Sequence, residues 1–194
     1  MDIPRAPASR DRMIEAAIDL LRESGLSGAG INEVVRHSGA PKGSVYHFFP
    51  DGKQQLATEA LAVHAERVQA FIVRSLGTSA SPATRVKSLF DAFARRVEES
   101  DFRRSCPAGA VCLDLDPSLD HLRPVLAQMF TEWIELIARH VDLGDARRSR
   151  SFAGLVLTAI EGAYIRCRAE HSSRPFREAG AWLSSLTPAR RAAS

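Results

Sequence analysis

Side chains with hydrogen-bonding tips gather in one short stretch of this 194-residue chain: Lys42, Ser44, Tyr46 and His47, set around Gly43 and following Gly39 and Pro41. An ammonium, a hydroxyl, a phenol and an imidazole at this spacing suit phosphate oxygens and the edges of bases. Small groups at Gly43 and Ser44 allow backbone to come close to a duplex. Val45 and Phe48 or Phe49 can face inward, which leaves the polar tips outside. Elsewhere the chemistry is sparse. Cys106 and Cys112 lack the close paired spacing of a zinc site, and His121 and His140 offer no ligand pattern with them. Nothing specifies a base or an oxyanion site for a nucleophilic Cys106. No catalytic residue, metal or cofactor is therefore expected.

The elements that must hold this stretch follow from spacing. Met13, Ile14, Ala17, Ile18 and Leu21 recur at three- and four-residue steps, a helical stripe running from Ser9 to about Ser24 with Gly25 as its left-handed stop. Ile31, Val34 and Val35 with Ser38 predict a helix of about two turns closed by Gly39. Pro41 suits the first turn of a new helix, because its fixed φ is helical and its missing N–H would be unpaired there anyway. A third helix is thus expected to begin at about Pro41 and to end at Pro50-Asp51-Gly52. Two short helices joined by a tight glycine turn form the helix-turn-helix arrangement that sets a helix in the major groove. Residues 1–55 are predicted to be that DNA-binding domain.

Residues 56–194 are predicted to form a larger helical domain. One long helix is expected from Lys53 to about Leu76, another from Pro82 to Glu99, a short apolar segment from Cys106 to Leu115, and further helices over Leu119–Val141, Ala146–Ala169 and Pro175–Leu186. No alternating strand pattern and no fixed-period repeat interrupts them, so the fold is read as all-α.

Composition sets bounds. With 45% hydrophobic residues the chain has ample material for a packed core. The formal charge of +3 comes from 26 basic against 23 acidic residues, and residues 1–55 hold seven of each, so overall charge does not argue for nucleic acid. Between Arg36 and Lys53 the only acid is Asp51, which leaves a small basic surface there. No stretch approaches the roughly 20 apolar residues of a membrane span, and the start, with Asp2, Arg5, Arg10 and Asp11, lacks a signal-peptide core. A cytoplasmic location without membrane partners is expected, with Cys106, Cys112 and Cys167 as reduced thiols.

Gly25 and the run from Ile31 to Phe49 resemble the signature of the tetracycline-repressor (TetR) family, over about the first 56 residues and ending in Lys53-Gln54-Gln55-Leu56. The extra residue in Phe49-Pro50-Asp51-Gly52-Lys53, and Cys106-Pro107-Ala108-Gly109-Ala110-Val111, resemble the subgroup of multidrug-responsive repressors related to the lincomycin-resistance regulators. The resemblance implies base-edge contacts from Lys42 and Ser44, phosphate contacts from Tyr46, His47, Lys53 and Arg36, and close approach at Gly43. The family's hydroxyl pair before the second helix is Ala29-Gly30 here, and its serine at the third helix is Pro41. Both changes remove a capping hydroxyl, which Asn32 is a candidate to replace.

The same resemblance makes the larger half an effector-binding and dimerisation domain. Phe90, Phe93, Met129 and Trp133 are candidate walls of an apolar pocket, with Cys106, Phe152, Thr158 and Gly162. Small residues in Ala153-Gly154 and from Ala159 to Ala163 suit helices that pair across a two-fold axis. The expected partners are a double-stranded DNA operator, a small-molecule effector and a second copy of the chain. The implied function is a ligand-responsive transcriptional regulator, a repressor released from a palindromic operator by a small apolar effector. Two other readings stand beside it: a redox-sensing regulator using Cys106 and Cys112, and a small helical enzyme.

Overall fold

The computed structural model describes residues 9–78 and 81–187, and among them every regular element is helical. In order they are α1 (Ser9–Gly28), α2 (Ile31–Ser38), α3 (Ser44–Phe48), α4 (Gly52–Leu76), α5 (Pro82–Glu99), α6 (Pro107–Leu113), α7 (Leu122–His140), α8 (Ala146–Glu170) and α9 (Arg174–Ser185), with a single 3₁₀ turn at Pro117–Leu119. No described helix is long and apolar enough to cross a membrane.

The chain forms two compact units. The first comprises the described residues up to Ala65 together with Pro107–Val125, and the second Glu66–Cys106 together with the described residues from Leu126 onward. The predicted boundary at residue 55 lies one turn into α4, which runs on unbroken; α6 and the start of α7 pack with the first unit although they come from the later sequence.

In the first unit the α1 stripe of Met13, Ile14, Ala17, Ile18 and Leu21 is buried, as are Val34 of α2, Val45 and Phe49 at α3, and Leu56, Ala60 and Leu61 of α4. Burial of this stripe against α2, α3 and α6 drives the assembly of short helices too brief to be stable alone. The expected stop at Gly25 is present: φ 66 and ψ −167 break the helical path inside α1, a conformation open essentially to glycine alone.

In the second unit α9 lies along α5 and against α8. A Cβ on Gly180 would come within 2.5 Å of the Phe90 Cβ, so glycine there sets how close α5 and α9 pack. Ser81 caps α5, its hydroxyl accepting from the Thr84 amide at 3.4 Å, and Pro82 follows it in the first turn. Asp145 caps α8 by accepting from the Arg148 amide at 2.7 Å. Polar ties complete the frame: Arg85 Nη1 donates to the His140 carbonyl at 2.6 Å, and Arg177 Nη2 to Glu98 at 2.9 Å.

Candidate nucleic-acid interface

Gly39 closes α2 in the left-handed region at φ 62, as the turn requires. Ser38 supports the turn from inside, donating from its hydroxyl to the Val35 carbonyl at 3.3 Å and accepting from the Ala40 amide at 3.3 Å. Arg12 of α1 donates to the Ser38 carbonyl at 3.1 Å, which pins the end of α2 to α1.

The third helix starts later than its sequence suggests. Pro41 opens a turn rather than the helix: the Ser44 amide donates to the Pro41 carbonyl at 2.9 Å and the Val45 amide to the Lys42 carbonyl at 3.3 Å. These are i→i+3 bonds, the tighter winding common at helix starts, and five residues of α-helix follow. Gly43 is already in the helical region, at φ −65 and ψ −20.

The facing is as expected. Val45 and Phe49 are fully buried and Phe48 is half-buried. Lys42, Gly43 and His47 are exposed, Ser44 is half-exposed, and Tyr46 is 61% exposed. The Tyr46 ring also lies beside the start of α4, its Cε1 3.6 Å from where a Cβ on Gly52 would sit. Gly52 itself is left-handed at φ 62, so the turn from α3 into α4 and the tyrosine's seat share one glycine. Behind them the Gln55 amide oxygen accepts from the Asp51 backbone at 3.1 Å and its nitrogen donates to Glu59 at 3.0 Å. Glu59 pairs with Arg10 of α1, whose guanidinium lies 5.4 Å from the Phe49 ring centre.

Three further predicted residues are less simply placed. Asn32 is exposed in the first turn of α2, whose cap Gly30 makes no side-chain hydrogen bond. Arg36 is exposed but bonded to Glu33 at 2.5 Å, and this bond together with the nearby positive charge holds the Glu33 carboxyl below its usual range. An exposed pair of this kind exchanges readily for another anion. Lys53 is half-buried and lines a cleft of about 430 Å³ with Leu26, Gln54, Asp114, Asp116 and Leu122, all of the first unit.

The predicted pocket residues divide. Phe90, Phe93, Cys106, Met129 and Trp133 are buried in the second unit. Phe93 stacks on Phe176 with ring centres 5.7 Å apart and meets Tyr164 edge-on at 5.8 Å and Phe71 at 4.9 Å. Phe176 meets three rings, those of Phe90, Phe93 and Tyr164, and is not singled out by the sequence because it follows a proline in a short terminal segment. Phe152 is half-buried, in an open groove with Leu143, Arg148 and Leu186.

Thr158 and Gly162 do not line the interior: both are exposed on α8. They share a helix face with Leu155 and Ile165, opposite the buried Ala153, Val156, Ile160 and Ala163. Two other polar residues were not anticipated. Glu161 lies on α8 one turn from the buried Leu157 and Tyr164, and Asp114 lies at the foot of α6; a lone carboxylate at helical spacing with those two residues is the signal for the first.

Cys106 and Cys167 are buried and Cys112 is half-buried, all as free thiols. Cys106 belongs to the second unit and Cys112 to the first. Among the described residues no cluster of three or more potential metal ligands occurs.

A left-handed glycine turn between two short helices, the second burying an apolar edge and showing polar tips to solvent, defines a helix-turn-helix DNA-binding protein. Residues 13–60 match the family model of bacterial regulatory proteins of the tetR family, and residues 82–181 match the LmrA/YxaF-like transcriptional regulator C-terminal domain. The chain is 34% identical over 173 residues to the HTH-type transcriptional regulator Rv0196 of Mycobacterium tuberculosis, covering 86% of this chain and 87% of that one. It is 31% identical to YxaF of Bacillus subtilis, covering 81% and 83%. In fold it is similar to a cysteine mutant of the TetR family regulator CifR solved with 26-base-pair operator DNA, at a TM-score of 0.81, 20% identity and coverage of 96% and 100%. The chain belongs to the TetR family and is a DNA-binding transcriptional regulator.

Proposed function

We propose that the protein is a homodimeric repressor that an apolar small molecule releases from a palindromic operator. The observation that carries the DNA half of this reading is the outward row Lys42, Ser44, Tyr46 and His47 over the buried Val45 and Phe49. Lys42 and Ser44 read base edges; Tyr46, His47, Lys53 and Arg36 take phosphates, with Asn32 at the start of α2.

An exposed apolar face supports the dimer. Leu155 and Ile165 of α8, the latter 62% exposed, flank Thr158 and Gly162, and Trp182 of α9 and Leu186 just after it are exposed at 75% and 58%. Large apolar side chains grouped in this way are costly in water and suit burial against a second copy. Two readers on one two-fold axis then meet successive major grooves about 34 to 36 Å apart.

The effector half rests on the apolar interior of the second unit. A ligand that binds better to dimers with wrongly spaced readers lowers operator affinity, and the operator lowers ligand affinity by the same factor. The test is a genomic footprint of the purified protein, followed by gel shifts on the bound sequence. A two-fold site protected by wild type and lost with Lys42→Ala is the expected result. Protection without two-fold symmetry, or unaltered by that change, contradicts the reading.

A further inference from the structure

In the first unit one space is lined by charges of both signs. Lys53, at the start of α4, and Asp114 and Asp116, between α6 and the 3₁₀ turn, line the same cleft of about 430 Å³, within the size range of small-molecule sites. Its floor is apolar: Leu26 of α1, Ala57 of α4 and Leu122 of α7 are buried there. The backbone bend at Gly25 immediately precedes Leu26, and one oxygen of Asp114 holds the turn by accepting from the Ser27 amide at 2.9 Å.

These charges line the space without closing it. Among the described residues no carboxylate lies in ion-pair contact with Lys53 Nζ, although two share its cleft. Nearby, Asp120 and Arg123 do pair, at 2.6 Å. Asp114 uses one oxygen on Ser27 and has acceptor capacity left. Lys53 and Asp114 are both half-buried, so each has given up part of its hydration without receiving a charged partner. A single molecule with an anion, a cation and an apolar group answers all three kinds of wall.

We propose that this cleft binds a free α-amino acid with an apolar side chain, held as its zwitterion. The ligand carboxylate accepts from Lys53 Nζ, its ammonium donates to Asp114 with Asp116 adding to the negative field, and its side chain covers Leu26, Leu119 and Leu122. The site is distinct from the apolar interior of the second unit, to which the proposed effector is assigned. One consequence rests on the reading of Lys53 as a phosphate contact: amino acid and operator then compete for one ammonium, and each lowers the affinity of the other.

The experiment uses the full chain and three matched probes, L-phenylalanine, phenethylamine and 3-phenylpropanoate, titrated by calorimetry at neutral pH into wild type, Lys53→Met and Asp114→Asn. Wild type is expected to bind L-phenylalanine about tenfold or more tightly than either probe with one charge, as an added charge-assisted bond implies. Lys53→Met should bring L-phenylalanine within about threefold of phenethylamine. Asp114→Asn, which keeps an acceptor for the Ser27 amide, should bring it within about threefold of 3-phenylpropanoate. No binding of L-phenylalanine, binding to wild type no tighter than that of a single-charge probe, or a preference that either substitution leaves unchanged overturns the proposal. The wild-type comparison decides it even if a variant does not fold. Gel shifts with and without L-phenylalanine run in parallel, and weaker operator binding in its presence is expected. Unaltered operator affinity beside a confirmed zwitterion preference sinks the phosphate role of Lys53 alone, whereas no operator binding by wild type sinks the regulator reading.

Discussion

The Asp114 carboxylate accepts a hydrogen bond from the Ser27 backbone amide at 2.9 Å, joining the foot of α6 to the end of α1. The same oxygen lies 2.6 Å from where a Cβ on Gly25 would sit. Residues 87 positions apart in sequence thus fix the turn that leads into the helix-turn-helix. Asp114→Ala is expected to cost about 1 kcal/mol of stability, and Gly25→Ala about 1 to 3 kcal/mol for its backbone conformation and the collision. The double variant should cost less than the two together, because the missing carboxylate makes room for the methyl group. Urea unfolding checks this, and strict additivity would contradict the stated geometry.

The readers and their supports are expected to fail differently. Lys42→Ala and Tyr46→Ala should weaken operator binding by about 1 to 3 kcal/mol with little effect on unfolding. Val45→Ala, at a fully buried site, should lower stability by about 1 to 3 kcal/mol. Lys53→Ala should reduce the slope of log affinity against log salt by about one. A Lys53 variant with an unaltered salt slope places that lysine's role in the cleft with Asp114 and Asp116 and not on phosphate.

Placing charge on the exposed face of α8 tests the dimer. Leu155→Glu combined with Ile165→Glu should move the sedimentation coefficient from that of two chains to that of one. Operator affinity should fall more than about tenfold, because linked half-site binding is lost. Two-chain sedimentation in the double variant would remove this face from the interface.

Glu161 gives stability a defined pH dependence. Burial pushes its carboxyl up to about 7 in the folded chain, against an ordinary 4.5. Between these values the unfolded chain has released a proton that the folded chain keeps, so stability falls as pH rises through the window and levels off above it. The loss is at most about 3 kcal/mol. Glu161→Gln lacks this term, so its melting temperature should gain on wild type between pH 5 and pH 8. A constant difference over that range would show that folding does not desolvate the carboxyl.

Much of the first unit was legible because its cues are local. The stripe from Met13 to Leu21, the stops at Gly25 and Gly39, and the inward Val45 each depend on a few neighbouring residues. Pro41 misled by about three positions: its ring favours helical φ, but the hydrogen bonds that follow it are i→i+3, and spacing alone does not separate these windings. Thr158 and Gly162 stand among the expected pocket residues because spacing alone does not say which face of α8 turns inward, and its outer face, with Leu155 and Ile165, is also apolar. Asp114 and Ser27 meet only through tertiary packing, which no local pattern records. The cleft that Lys53 shares with Asp114 and Asp116 is of the same kind, since the end of α1 and the starts of α4 and α7 all contribute to it.

Val45 and Phe49 hold the reading helix from beneath, while Lys42, Ser44, Tyr46 and His47 carry none of its core. On the proposed reading of the site, the residues that choose a DNA sequence are therefore largely separate from those that keep the protein folded. Retargeting such a regulator is a matter of a few surface codons, open to drift and selection without passing through an unfolded intermediate, and a laboratory library varied at those four positions should consist mostly of intact protein.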